Sequence, residues 1–81
     1  MSSPQGLSVD GDLLFVTNLT GSTIVFEIDH EGGLNQVNTI SGGAHDVIAL
    51  DGKVLIVSTT EINQYDYTNI NDIRHYATLK L

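Results

Sequence analysis

His45 and Asp46 are the neighbouring residues of this sequence best suited to chemistry. An imidazole beside a carboxylate is suited to a borderline metal ion such as zinc. If three copies of the chain assembled around an axis, their three His45 imidazoles could converge there and complete a metal site. The alternative is structural, with Asp46 accepting backbone N–H bonds in a turn and His45 lying in solvent. A lone His-Asp dipeptide favours the turn interpretation, so we predict that no metal is bound. If a metal were bound, His45 and Asp46 are the residues that we would expect to hold it.

The other polar residues form no recognisable catalytic or cofactor motif. No serine lies in a Gly-x-Ser-x-Gly sequence, and no glycine-rich phosphate loop precedes a helical pattern. Asp10, Asp12 and Asp51 lie beside Asp-Gly sequences, without the alternating oxygen ligands of a calcium loop. Cysteine is absent, which excludes disulfides and thiolate metal sites. We therefore expect no enzymatic activity and no cofactor.

Composition indicates one small folded domain over residues 1–81, since 41% of the residues are hydrophobic and only 16% are charged. Ten acidic residues against three basic ones give a net charge of −7, which disfavours nucleic acid and anionic membrane surfaces as partners. The longest apolar run is four residues, and the first residues lack the features of a secretory signal. We expect a soluble protein with no membrane insertion, and the compartment stays open.

The chain contains the same pattern twice. At an offset of 41 residues, "VDGDLLFVT" (residues 9–17) aligns with "LDGKVLIVS" (residues 50–58), and the later segments align at an offset of 39. Asp-Gly between apolar β-formers predicts a hairpin at the start of each half, and turn-rich segments separate two further strands. Each half, about 4–43 and about 44–81, is therefore predicted to form four strands, with a two-residue deletion between the second and third strands of the second half.

A repeat near 40 residues with four strands per unit is typical of β-propeller blades. The alternative is an eight-stranded sandwich that arose by duplication. The segments "LLFV" and "VLIV" are apolar at every position, which favours sheets covered on both faces. We predict an all-β fold of two four-stranded antiparallel β-propeller blades. The residues predicted to pack between blades are Leu14, Val16, Phe26, Ile28, Leu55, Val57, Tyr65 and Tyr67.

Two segments carry a family resemblance. The sequences "PQGLSVDGDLLFVTN" and "GSTIVFEID" resemble blades of YVTN-type propellers, and "DGKVLIVSTTEINQYDYTNINDIRHYATL" resembles the related LVIVD repeat. The resemblance covers Pro4 to about Leu79, except that Asn69 to Asp72 stand where LVIVD repeats often have Asp-Pro and Asn-Pro turns. It implies the propeller fold. Proteins with such blades include lactonases, surface-layer and lipoprotein components, binding scaffolds and quinoprotein-like relatives, and no catalytic residue of theirs matches a motif here.

Two blades do not close a propeller, so copies of the chain are expected to complete the ring. We favour a trimer with six blades, and a tetramer with eight is the alternative; a fragment cut from a longer propeller would assemble through the same faces. The predicted function is a non-enzymatic scaffold or interaction module. The alternatives are a lectin-like ligand-binding propeller and, third, a fragment of a lactonase-like enzyme. The chain has no tryptophan, and its three tyrosines fall on outer strands, which favours the scaffold. Whether a small ligand occupies the central channel stays open.

Overall fold

Each half of the chain folds into a four-stranded antiparallel sheet in a computed structural model that describes residues 4–18, 21–41 and 44–81. The first sheet consists of β1 (Pro4–Asp10), β2 (Leu13–Asn18), β3 (Ser22–Ile28) and β4 (Leu34–Ser41). The second consists of β5 (Asp46–Leu50), β6 (Lys53–Val57), β7 (Glu61–Asp66) and β8 (Arg74–Lys80). Within these ranges no residue is helical, which confirms the all-β prediction, and accordingly no described helix could cross a membrane.

The two predicted hairpins form, but their turns use the Asp-Gly sequence differently. In the first hairpin the turn is Gly11-Asp12, and Gly11 has a φ of 59°. In the second the turn is Asp51-Gly52, whose φ values of 51° and 84° are the positive pair that a type I′ turn requires. Aligned Asp-Gly sequences therefore occupy positions that differ by one residue in the two hairpins.

The hydrogen-bond register relates the two sheets at an offset of 40 residues in their first two strands. Asp10 pairs with Leu13 and Leu50 pairs with Lys53, so each member of the second hairpin lies 40 positions after its counterpart. In the last two strands the offset is 39, because the bulge after Val25 recurs after Gln64. The offset of 41 in the sequence alignment is wrong by one residue, and the deletion between second and third strands is one residue rather than two.

A backbone contact outside the ladders shows the same correspondence. The N–H of Ile28 donates to the carbonyl of Asp12 at 2.7 Å, and the N–H of Tyr67 donates to the carbonyl of Gly52 at 2.7 Å. The donors are 39 positions apart and the acceptors 40. Both sheets are therefore built on one pattern, related by these two offsets.

The one-residue correction decides which faces of the sheets meet, because neighbouring residues in a strand point to opposite faces. At an offset of 40, Phe15 corresponds to Leu55 and Leu14 corresponds to Val54. We call the face of Phe15 and Leu55 the front of each sheet, and the face of Leu14 and Val54 the back. Phe15 and Val54 are fully buried, whereas Leu55 is 36% exposed. The front of the first sheet thus packs on the back of the second.

The core lies between these two faces. Its buried residues are Phe15, Val25, Ile40, Ala44, Val47, Ala49, Val54, Ile56 and Tyr67. Among the strands, β1 packs against β5, and Gly6 lies close to Asp46 in this contact. A Cβ at Gly6 would lie 3.0 Å from the Cα of Asp46 and 2.7 Å from its carboxylate, so a larger residue would force the strands apart.

Candidate functional site

The front of the first sheet and the back of the second form a junction with polar and apolar contacts, which we call the internal junction. The rings of Phe15 and Tyr67 lie with their centroids 4.8 Å apart. The Tyr67 hydroxyl donates to the carboxylate of Asp10, and the N–H of Ala49 donates to the Ser8 hydroxyl at 3.0 Å. These hydrogen bonds fix how the two sheets are aligned.

Burial and the bond to Asp10 both raise the pKa of Tyr67, burial having the larger effect. Tyr67 therefore stays neutral at ordinary pH and acts as a hydrogen-bond donor. A further bond crosses the junction near its outer strands, where the Asn38 side-chain amide donates to the carbonyl of Ile70 at 2.7 Å. Polar groups thus bond across the internal junction near both β1 and β4.

The back of the first sheet is open and apolar. Its apolar side chains are Leu7, Val9, Leu14, Val16, Ile24, Phe26, Ile28 and Leu34. Leu7 is 66% exposed, and Val9 and Leu34 are also more than half exposed. The charged residues of these strands, Asp10 and Glu27, lie on the front. An apolar face of this extent on a folded chain indicates a contact surface.

The front of the second sheet is also open. Its apolar side chains are Ile48, Leu50, Leu55, Val57, Ile62, Ala77 and Leu79. All of these except Val57 line two shallow depressions of about 300 and 310 Å³, and Leu55 and Gln64 contribute to both. Lys53 lies at the end of this face beside the β5–β6 turn. Gln64 and the charged residues Asp46, Asp66 and Arg74 also lie on this face, so the chain presents an open apolar face on one side of its pair of sheets and an open face of mixed apolar and polar residues on the other.

The residues predicted from sequence to pack between blades fall on three of the four sheet faces. Tyr67 is buried in the internal junction and Tyr65 is partly buried beside it. The others lie on the open faces: Leu14, Val16, Phe26 and Ile28 on the back of the first sheet, and Leu55 and Val57 on the front of the second. Their packing against further blades stays a prediction.

Apart from Tyr67, sequence reasoning missed the buried residues of the internal junction. Phe15, Val25 and Val54 are fully buried there, yet none was among the predicted packing residues. The available signal was the run of consecutive apolar residues in β2 and β6, which implies that both faces of each strand are covered. Choosing alternate residues from such a run captures one face of each sheet and omits the other.

His45 and Asp46, the metal candidates, are both exposed. The Asp46 carboxylate accepts the N–H of Val47 at 2.8 Å, and the backbone N–H of His45 donates to the carbonyl of Val57 at 2.8 Å. Across residues 4–18, 21–41 and 44–81, no three His, Cys, Asp or Glu side chains cluster as metal ligands. The Asp46 carboxylate therefore accepts a local backbone N–H, as the turn interpretation expects. The convergence of several His45 residues around an axis stays a prediction.

A polar cleft of about 350 Å³ lies between the end of β4 and the second sheet. Its lining residues are Ser41, Ile56, Ser58, Glu61, Asn63, Tyr65 and His75. Asn63 accepts the Thr78 hydroxyl at 2.6 Å and lies 3.1 Å from the His75 ring nitrogen, so these side chains bond mainly to one another. The ammonium of Lys80 lies 2.9 Å from Glu61 and helps to hold the pKa of that carboxyl below its usual range.

Comparison with protein-family models, curated proteins and solved structures finds no match for this chain. The resemblance to YVTN-type and LVIVD blades therefore stays a prediction based on the sequence.

Proposed function

We propose that this chain is a two-blade unit of a non-enzymatic β-propeller and that its copies stack into a closed ring that acts as a scaffold or interaction module. The observation that carries the proposal is the front-on-back packing of the two sheets. The open front of the second sheet is the counterpart of a front that is covered within the chain. The open back of the first sheet is likewise the counterpart of a covered back. A second copy can therefore extend the stack with the same kind of contact.

The character of the open faces supports a ring over a sandwich. In a sandwich of two sheets the outer faces meet water and carry polar side chains. Here the outer faces carry Leu7, Val9 and Phe26 on one side and Ile48, Leu55 and Leu79 on the other. Front-on-back contacts are heterologous, so they continue until the stack closes on itself. A ring covers every face, whereas an open dimer leaves two of them in water.

The area of the faces also suits this assembly. Four strands about 4.8 Å apart and about 20 Å long give a face of roughly 400 Å². A chain in a ring covers both of its open faces, roughly 800 Å², which is about the area per partner in a stable interface. One face alone would provide half of that. Closure therefore adds the second contact that a dimer lacks.

We propose three copies, hence six blades, and a ring of four copies is the alternative. Six-bladed rings are common, and the first strand of each sheet would lie nearest the axis, where space is smallest. The close approach of Gly6 to Asp46 agrees with crowding between these strands. The resemblance of the sequence to YVTN-type and LVIVD blades supports the same architecture.

Light scattering after size-exclusion chromatography tests the proposal. We expect a mass near three times the 8.7 kDa of the chain, together with a melting temperature that rises with protein concentration. Four copies would keep the propeller and change only the blade number. A folded monomer whose stability is independent of concentration would overturn the ring.

A matched pair of variants links the mass to the open front. Leu55→Glu places a charge in the middle of that face, whereas Leu81→Glu places it on an exposed residue beyond β8. We expect Leu55→Glu to dissociate the assembly, because a carboxylate buried in an apolar contact is costly. Leu81→Glu should keep the mass of the parent chain. Equal masses for the two variants would contradict assembly through this face.

Ligand binding is the second candidate, and the polar cleft beside Tyr65 favours it. Carboxylate, amide, hydroxyl and aromatic groups line a space of about 350 Å³. A glycan array tests this function, and binding with millimolar or better affinity would favour the lectin-like alternative. Hydrolysis of lactones or esters in a substrate screen would instead support the lactonase-like alternative and contradict the non-enzymatic proposal.

A further inference from the structure

We infer that the contact between copies, which we call the seam, repeats the geometry of the internal junction with apolar residues in place of the Tyr67–Asp10 pair, so that Val9 of one copy lies against Ile48 of the next and Ile28 against Leu50 and Leu55. This inference rests on the proposed ring. It goes further by fixing which residues meet, and hence the alignment of one copy on the next.

The two offsets translate each contact of the internal junction into a contact of the seam. The contact of Ser8 with Ala49 becomes that of Ile48 with Val9. The ring contact of Phe15 with Tyr67 becomes a contact of Leu55 with Ile28 in the same way. Each translated pair joins one residue of the open front with one residue of the open back.

One donor–acceptor pair of the internal junction has apolar counterparts on both open faces. In the internal junction Tyr67 donates to Asp10, and their counterparts are Ile28 and Leu50. Donor and acceptor are thus both replaced by apolar side chains. Replacing only one of them would leave a buried polar group without a partner, at a cost of about 1–3 kcal/mol. Because both the donor and the acceptor have apolar counterparts, the two open faces can pack together at this point without burying an unpaired polar side chain.

Other polar side chains of the covered front also have apolar counterparts on the open front, although their partners, where they have one, are backbone groups. Ser8 and Asn38 correspond to Ile48 and Ala77 on the open front. Thr23, whose buried hydroxyl has no hydrogen-bond partner among the described residues, corresponds to Ile62. Three polar positions of the covered front are therefore apolar on the open front, whereas the buried Val25 corresponds to Gln64 there.

Disulfide trapping tests the predicted alignment, and the absence of native cysteine makes the trapping specific. In the Val9→Cys, Ile48→Cys double variant the two thiols lie on opposite outer faces of one chain. β1 and β5 approach closely, but these two side chains point away from each other to opposite outer faces, so a bond within the chain would require the backbone to move. Oxidation should link different chains, and the ladder on a non-reducing gel should end at the number of copies in the ring.

The matched control is the Val9→Cys, Leu79→Cys double variant. It places thiols on the same two faces, but Leu79 lies on β8, three strands from β5 in the second sheet and therefore about 14 Å away. We expect efficient cross-linking at Ile48 and little at Leu79. The reverse result, with the mass of a ring retained, would overturn the seam and leave the ring standing. Cross-linking of Val9→Cys alone would indicate back-to-back pairing and overturn the seam, and a monomeric mass would overturn the ring itself.

A rescue experiment tests the same alignment without cysteine. Leu50→Asp places an unpaired carboxylate in the seam and should weaken association about tenfold to a hundredfold. Adding Ile28→Tyr recreates across the seam the donor and acceptor that Tyr67 and Asp10 supply internally, and should restore most of that loss. If Ile28→Tyr weakens association equally with and without Leu50→Asp, the two residues do not meet and the inference is wrong.

Discussion

The two phenylalanines of the chain provide a direct comparison between the covered and the open face of one sheet. Phe15 and Phe26 lie on neighbouring strands of the first sheet, Phe15 on the front and Phe26 on the back. Phe15 is fully buried against Tyr67, whereas Phe26 is only partly buried within the chain. Replacing each by alanine therefore removes the same side chain from two faces that differ only in what covers them.

The expected costs differ with the state of assembly. Phe15→Ala should cost about 3–5 kcal/mol at any protein concentration, since its cavity forms inside one chain. Phe26→Ala should cost about 1–2 kcal/mol in a dissociated chain, because part of the side chain is already in water there. In the ring the neighbouring copy covers the rest, and the cost should rise to about 3–5 kcal/mol.

Urea unfolding followed by circular dichroism at several protein concentrations measures both costs, and light scattering gives the mass at each concentration. The reasoning requires the cost of Phe26→Ala to increase as the parent chain assembles while that of Phe15→Ala stays constant. A cost for Phe26→Ala below about 1 kcal/mol at concentrations where the parent chain is a multimer would show that the back of the first sheet is not in the contact.

Two further predictions concern charge and pH. Because each copy carries a net charge of −7, raising the ionic strength from about 0.01 to about 0.15 M should tighten association, and weaker association at higher salt would indicate ion pairs in a seam predicted to lack them. The folded-state pKa of Tyr67 is raised, so its contribution to stability is complete below the unfolded value of about 10 and is lost as the pH rises through the folded value. Urea titrations between about pH 9 and pH 12 should therefore show a smaller fall in stability for Tyr67→Phe than for the parent chain, and equal falls would exclude Tyr67 as the cause.

The sequence was sufficient for the number and kind of strands. The alternation of apolar runs with Asp-Gly and other turn sequences predicted eight strands in two sheets, and the structure has them. These signals are local, because a turn type depends on the few residues that form it. The segments after β3 and β7 were also identified as connections from their turn residues.

Local signals of this kind could not predict which face of each sheet packs against the other sheet. Aligning Asp10-Gly11 with Asp51-Gly52 maximised the similarity of the halves, but the first turn begins at the glycine and the second at the aspartate. A glycine at the first turn position and an Asp-Gly pair across both positions each form a two-residue hairpin turn, so similarity alone does not decide the register. The consequence is non-local, since a shift of one residue exchanges front and back along two whole strands.

The same shift explains why a duplicated chain would stack with itself instead of closing into a sealed pair. With an offset of 41, Phe15 would correspond to Ile56, and the covered faces would be the like faces of the two halves, as in a two-fold symmetric sandwich that leaves no complementary faces. With the observed offset of 40, unlike faces meet inside the chain and one of each kind remains open. The seam differs from the internal junction because Ile28 and Leu50 stand at the positions that correspond to Tyr67 and Asp10. If the internal junction opened and the back of the second sheet packed on the open front of another copy, Leu50 would lie against Tyr67 and leave that hydroxyl buried without its acceptor, at a cost of about 1–3 kcal/mol. Alternating polar and apolar junctions thus favour one order of blades around the ring.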